Sequence, residues 1–436
     1  MRRLLNDFRP ATLRGDFYGG LSAAIVALPL GLAFGVASGA GPMAGVYSAV
    51  LVGFFASVFG GTPGQISGPT GPMTVVMTAI LTEYISRDPV DGMAGAFAIV
   101  VLAGLFQIAF GLLRLGKYVV QVSYPVISGF MSGIGVIIIL LQLQPLVGEP
   151  GSASPVAAMM DLPRLITAAD LPTLTLGLTM LLILFIWRGR FNVLIPGPVL
   201  VLIVGTIVAL LIPGLSGVSV LGELPGGLPT PILPHFNPVL LVEELTSALL
   251  IAALGSIDSL LTSLVADNLT QTHHDSDKEL IGQGIGNMIA GFFAALPGAG
   301  ATVRTVVNIK SGGRSAYSGV IHALLVVFII LVASPLAEHI PHVVLAAILL
   351  KVGVDIIDRR FLLKVHRMPL VSAGLMLGVL LLTVFVDLIT AVFVGVFIAN
   401  MITVERLTNL QLDNVRLVDD FDQELRESGV ETEFED

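Results

Sequence analysis

The chain has 436 residues, of which 55% are hydrophobic and 12% charged, against roughly 25% charged in an average soluble domain. A soluble fold of this length could not solvate such a surface, so composition excludes a water-soluble enzyme or nucleic-acid-binding protein and points to a bilayer. The net charge of −9 does not mark a basic partner, because ten of the acidic residues lie from Asp413 onward and describe a solvated tail.

The first residues, 1–14, read as a cytoplasmic N-terminus without the apolar stretch and small-residue cleavage site of a removable signal peptide. Apolar runs long enough for a hydrocarbon core, which needs about 20 residues per helix, then predict an all-α polytopic membrane protein. Fourteen spans are expected, near 15–38, 42–59, 68–85, 93–113, 118–146, 172–187, 196–212, 238–266, 278–296, 300–311, 315–336, 341–357, 368–386 and 388–404. With both termini inside, 19 of the 22 Lys and Arg fall at cytoplasmic positions, as expected if basic residues are retained there. Arg87 and Arg164 fall outside, and Arg304 within a span. Two inverted halves of seven spans follow, 15–212 and 238–410, joined by an extracellular connector at 213–237 and followed by an acidic cytoplasmic tail at 411–436.

Two segments are too short and too broken to be ordinary spanning helices: Ser67-Gly-Pro-Thr-Gly-Pro-Met-Thr-Val-Val-Met and Pro297-Gly-Ala-Gly-Ala-Thr-Val-Arg-Thr-Val-Val-Asn. They occupy the third and tenth spans, equivalent places in the two halves. Gly/Pro-interrupted segments at matching places point to the binding site of a transporter. Aligning Thr74-Val75-Val76 with Thr305-Val306-Val307 sets Pro69-Thr70-Gly71 against Gly300-Ala301-Thr302. Half-helices starting near Thr70 and Thr302, each with an extended lead-in, would aim free N–H groups and about half a positive charge apiece at mid-membrane. A small anion could be held there without a full cation; kinks in two packed helices are the plainer reading.

Asp258 stands near the middle of an otherwise apolar helix, where a carboxylate is costed at roughly 2.5–3.5 kcal/mol on insertion scales and should face a polar cavity. Gly255, Asp258, Thr262 and Ala266 share one helix face by their spacing of three and four. Arg304 either adds positive potential to the anion site or lies a turn deeper against carbonyls and water. His273-His274-Asp275 reads as a solvated loop rather than a metal corner. Gly282-Gln-Gly-Ile-Gly286 reads as a close helix approach rather than a nucleotide loop. Asp387 reads as an interfacial residue. No nucleophile or metal constellation argues for an enzyme.

Several longer motifs carry a family resemblance. Arg14-Gly-Asp-Phe-Tyr-Gly-Gly-Leu, Pro29 with Phe34-Gly-Val-Ala-Ser-Gly39, Ile66-Ser-Gly-Pro-Thr-Gly-Pro-Met-Thr-Val-Val76 and Lys278-Glu-Leu-Ile-Gly-Gln-Gly284 resemble the SulP anion transporters. Leu115-Gly-Lys-Tyr118, Val126-Ile-Ser-Gly-Phe-Met-Ser-Gly133 and Gly298-Ala-Gly-Ala-Thr302 are most similar to the family's sodium-dependent bicarbonate carriers. The resemblance covers about residues 12–410. It implies two inverted repeats sorted into a core domain (spans 1–4 and 8–11) and a gate domain (5–7 and 12–14). It implies sodium held by Asp258, Thr262, Thr302 and the backbone at Gly300, and bicarbonate beside Thr70, Ala301 and Thr302. Arg304 resembles the Arg of the wider family rather than the small residue of the bicarbonate branch. A C-terminal STAS domain, usual in SulP proteins, has no room in 436 residues.

The expected function is sodium-coupled bicarbonate uptake by an elevator movement, with sodium as coupling ion and no other cofactor. Alternatives are a sulfate or dicarboxylate carrier with proton coupling or exchange, and a non-transporting scaffold or voltage-responsive protein. Expected partners are a small inorganic anion, sodium, the lipid bilayer of the plasma (inner) membrane and, as one option, a second copy in a homodimer; no nucleic acid is expected.

Overall fold

A computed structural model describes residues 12–119, 124–152, 154–187, 195–215, 217–222, 227, 229–235 and 240–386, with scattered positions from 390 to 408. Its long helices follow the predicted spans in order. The first half contains α1 (Leu13–Ser38), α2 (Pro42–Phe59), α3 (Gly71–Arg87), α4 (Gly92–Leu112), α5 (Tyr124–Leu146), α6 (Leu171–Ile186) and α7 (Gly197–Leu211). The second contains α8 (Leu241–Thr270), α9 (Ser276–Phe292), α10 (Thr302–Lys310), α11 (Ala316–Ala337), α12 (His342–Ile356) and α13 (Leu370–Phe385). The fourteenth expected span, 388–404, lies partly outside the described residues, as do Asp387 and the tail from 411. Among the described helices, α1, α2, α4, α5 and α8 are each long and apolar enough to cross a membrane.

Side-chain exposure is inverted relative to a soluble protein. Leu178, Leu182 and Ile186 on α6, Ile203, Ile207 and Leu210 on α7, and Leu324, Phe328 and Leu331 on α11 are exposed at spacings of three and four. Such apolar stripes suit lipid. Asp16, Glu244, Ser259, Thr262, Glu279, Gln283, Asn287 and Arg304 are buried instead, so the polar groups face one another inside the bundle.

Packing sorts the helices into two groups. In one, α4 packs on α9, α9 on α2, α1 on α2 and α11, and α8 on α4 and α10; in the other, α5 packs on α12 and α13, and α6 on α12 and α7. Glycines permit the tightest contact: a Cβ at Gly104 of α4 would fall 2.5 Å from the Gly284 carbonyl oxygen and 2.4 Å from the Met288 nitrogen of α9. Gly282, Gly284 and Gly286 are therefore a packing surface, as their run in a membrane helix suggests.

Two short strands sit inside the first group. β1 (Ser67–Gly68) pairs antiparallel with β2 (Ala299–Gly300), Ser67 opposite Gly300 and Gly68 opposite Ala299. The Ala301 N–H extends the ladder to the Ile66 carbonyl at 2.8 Å. Pairing satisfies the backbone that the Gly/Pro breaks release from helix, which buried non-helical chain requires. It also brings the starts of α3 and α10 together from places more than 230 residues apart in sequence.

The chain between α5 and α6 is partly helical. It holds two short helices, Pro155–Met160 and Leu162–Ala168, the first capped by Ser154 Oγ accepting from the Ala157 N–H.

Candidate functional site

Each half-helix begins one residue after an extended cap. Thr70 caps α3 at φ −124°, ψ 161°, and Ala301 caps α10 at φ −94°, ψ 101°. Thr70 and Ala301 are the pair that the repeat alignment sets opposite each other. The Thr70 carbonyl accepts the Thr74 N–H and hydroxyl, and the Ala301 carbonyl accepts the Thr305 N–H. First-turn N–H groups before those positions have no partner within their own helix; Pro72 supplies none, leaving Gly71 and Met73 on α3 and Thr302, Val303 and Arg304 on α10.

α8 runs past both starts. Thr262 Oγ1 donates to the Gly300 carbonyl at 2.8 Å and lies 2.7 Å from Thr302 Oγ1, so three of the expected sodium-ligand oxygens form one cluster. Asp258, one turn earlier on α8 and 8% exposed, faces Thr70, with Arg304 as its neighbouring positive charge. Asp258 Oδ2 and Thr70 Oγ1 are both buried without a hydrogen-bond partner among the described residues. Orphaned buried oxygens of this kind are uncommon and call for a ligand, water or ion. The donor set is all oxygen, which suits a hard cation.

Arg304 lies behind the extended segment that leads into α3. Its Nη2 donates to the Pro69 carbonyl at 2.6 Å, and its Nη1, also buried, has no partner among the described residues. It touches the backbone at Gly68, where a Cβ would lie 2.7 Å from Nη1 and the φ of +147° itself disfavours any side chain. The guanidinium thus contacts a carbonyl, one of the two placements the sequence left open.

Sequence reasoning missed the residues that hold this backbone in place. Ser259 Oγ accepts the Gly300 N–H at 3.0 Å, which widens the polar face of α8. On α9, Glu279, Gln283 and Asn287 point the same way at i, i+4 and i+8. Asn287 clamps Gly298 in both directions, Oδ1 accepting its N–H at 2.7 Å and Nδ2 donating to its carbonyl at 2.9 Å. Gln283 Nε2 donates to Ser67 Oγ at 2.6 Å. The spacing of four between polar residues in an otherwise apolar span was the available signal.

His274 sits in neither a metal corner nor bare solvent. Its Nδ1 is 2.7 Å from Asp267 Oδ2 and its Nε2 2.9 Å from Ser276 Oγ, tying the α8–α9 loop. Among the described residues no group of three or more His, Cys, Asp or Glu could hold a metal.

Comparison with known proteins places this geometry. The model of the sulfate permease family matches residues 13–379. The chain is 48% identical over 440 residues to the bicarbonate transporter BicA of Picosynechococcus sp., covering all of this chain and 78% of that protein. It is 48% identical over 438 residues to BicA of Synechocystis sp., covering all of this chain and 77% of that protein. The solved transmembrane domain of a cyanobacterial BicA superposes with a TM-score of 0.83 at 48% identity, over 89% of this chain and all of that one. The murine anion transporter Slc26a9, at 20% identity and a TM-score of 0.80 over 92% of this chain and 70% of that one, shares the fold.

Proposed function

The chain belongs to the sulfate permease family of membrane anion carriers, and on that premise we propose that it imports bicarbonate together with sodium. It is a multi-pass membrane protein that transports a small inorganic anion, and its relatives are transporters rather than enzymes. The observation that carries the finer reading is the unpartnered Asp258 carboxylate oxygen, buried between the starts of α3 and α10 and beside the Thr262–Gly300–Thr302 oxygens.

Charge arithmetic explains why the two ions would travel together. Bicarbonate and an ionised Asp258 about 4 Å apart repel by roughly 4 kcal/mol at an effective dielectric of 20. Sodium held by Asp258, Thr262, Thr302 and the Gly300 carbonyl removes that repulsion and leaves the helix N-termini to attract the anion beside Thr70, Ala301 and Thr302. Each ion then raises the affinity of the other, the reciprocity that coupling requires.

The movement we assign is an elevator. Both half-helices and α8 belong to one packing group, so sliding it past α5 and α12 preserves the site, whereas rocking the half-helices apart would dissolve it. Two conformers whose Thr70–Thr302 separation differs by several ångströms would contradict this. The assignment of both termini to the cytoplasm of a cell's plasma membrane rests on the Lys and Arg distribution; a cysteine at Arg87, on an exposed helix end, should then react with an impermeant reagent from outside.

Purified protein in liposomes tests the substrate and the coupling together. Labelled bicarbonate should enter faster in external sodium than in choline, and excess sulfate should compete poorly. Arg304, a buried cation at the site, favours one second reading, sodium-independent carriage of an anion such as sulfate; equal uptake in choline with strong sulfate competition would select it.

A further inference from the structure

We propose that Glu279 of α9 is a positioning residue for the transport site, setting the ion affinities through the amide of Gln65. The inference rests on the transport reading above and assigns a role to a carboxylate that touches none of the site oxygens.

Glu279 is 2% exposed and accepts from four donors. Oε2 takes the Gly61 N–H at 2.8 Å and the Thr62 N–H at 2.9 Å; Oε1 takes Nε2 of Gln65 and Nε2 of Gln283, each at 2.8 Å. Four donors converging on one side chain demand an acceptor-only group, which a carboxylate is and an amide is not. The chain at Gly60 and Gly61 can run across the start of α9 only without side chains: a Cβ at Gly61 would fall 2.0 Å from the Asp275 carbonyl oxygen, and one at Gly60 2.9 Å from Glu279 Oε2.

Two of the four bonds belong to a ring that reaches the site. From Oε1 the path runs to Gln65 Nε2; Gln65 Oε1 accepts from Ser263 Oγ at 3.0 Å; Ser263 Oγ lies 2.7 Å from Thr62 Oγ1; and the Thr62 N–H returns to Glu279 Oε2. Ser263 is the neighbour of Thr262, whose hydroxyl holds the Gly300 carbonyl and Thr302. The Gln65 amide itself lies against Gly300, where a Cβ would come 2.4 Å from Nε2. Glu279 thus decides which end of the Gln65 amide faces α8, and that amide buttresses the backbone that presents Gly300 to the ions. Supporting partners one step behind a metal ligand typically change affinity by 10–100-fold when altered.

Glu279→Gln keeps size and shape but creates a donor–donor conflict, either with the two backbone N–H groups or with Gln65 and Gln283. Relief by turning the Gln65 amide breaks its bond from Ser263. Adding Gln65→Glu restores an acceptor opposite the new amide, keeps the Ser263 bond and returns the total charge. The experiment measures half-saturating sodium, half-saturating bicarbonate and maximal uptake in proteoliposomes, with the melting temperature of each variant in detergent. Expected are half-saturation values raised about tenfold or more in Glu279→Gln, a smaller change in maximal rate per folded protein, and recovery of most of the loss in the double variant. Wild-type half-saturation in folded Glu279→Gln, or a double variant no better than the single, overturns the proposal. If Glu279→Gln does not fold, Gln65→Met removes the same amide and faces the same two outcomes in half-saturation. Wild-type uptake indifferent to sodium overturns sodium coupling alone, and the bicarbonate constants then decide for Glu279.

Discussion

Asp258 and Arg304 are the two full charges buried at the site, and each is placed by a different constraint. Asp258 was legible from sequence because a lone carboxylate in the Ala252–Leu264 stretch stands out against its cost in a bilayer. Arg304 was legible as a charge but not as a contact, because its partner is the Pro69 carbonyl, which no side-chain pattern announces. Ser259, Ser263 and Gln65 were illegible for a related reason: serines in a helix ordinarily bond the carbonyl four residues back, as Ser256, Ser259 and Ser263 also do here. Only the fold turns them toward another segment. Arg304→Ala separates the two charges experimentally. Removing a cation that competes for Asp258 should tighten sodium binding several-fold, while the anion, losing a buried positive charge, should bind roughly tenfold more weakly. Half-saturation constants for both ions, measured on monodisperse protein, check it; movement of both in the same direction would show that Arg304 serves the fold alone.

At the level of elements, the half-helices were readable because Gly and Pro leave few alternatives to a break, and the expected starts near Thr70 and Thr302 lie within a residue of those observed. The pairing between the breaks was not readable. Strands of two residues carry no alternating pattern, and their register depends on the clamps from Gln283 and Asn287. The two short helices between α5 and α6 escaped notice because at six and seven residues they fall far below the about 20 that mark a span, although Pro155 and Pro163 sit in first turns, where proline is tolerated. The α4–α9 contact is the most exacting element interaction, since Gly104 and Gly284 bring two backbones within van der Waals reach. Gly104→Val should force the helices apart and abolish the monodisperse peak in detergent, while Leu105→Val, on the exposed face of the same helix, should leave it intact. A monodisperse, active Gly104→Val would mean that this contact does not hold the bundle together.

Across the whole molecule, hydropathy was enough to lay out the helices of the described residues, whereas the division into two packing groups came from family resemblance, because membrane helices are apolar toward lipid and neighbour alike. A cavity of about 720 Å³ opens between the two groups, with Thr78 and Thr82 of α3 on one wall and Leu141 of α5 and Leu349 of α12 on the other. Nearer the site, Ile138 of α5 and Ile356 of α12 press on the start of α3, where a Cβ at Gly71 would lie 3.1 and 2.7 Å from their Cδ1 atoms. The start of α10 is more open, with Val303 63% exposed against 9% for Thr70. Under the mechanism proposed above, the site would be reached from one side at a time, with the charge at Asp258 deciding what passes. Sodium-driven bicarbonate uptake by Asp258→Asn in proteoliposomes is the most direct test: the amide keeps the shape and one acceptor oxygen but not the charge that holds a hard cation, so uptake should fall sharply and excess sodium should restore only part of it, whereas near-normal sodium-dependent uptake by correctly inserted Asp258→Asn would remove Asp258 from the site and the coupling mechanism with it.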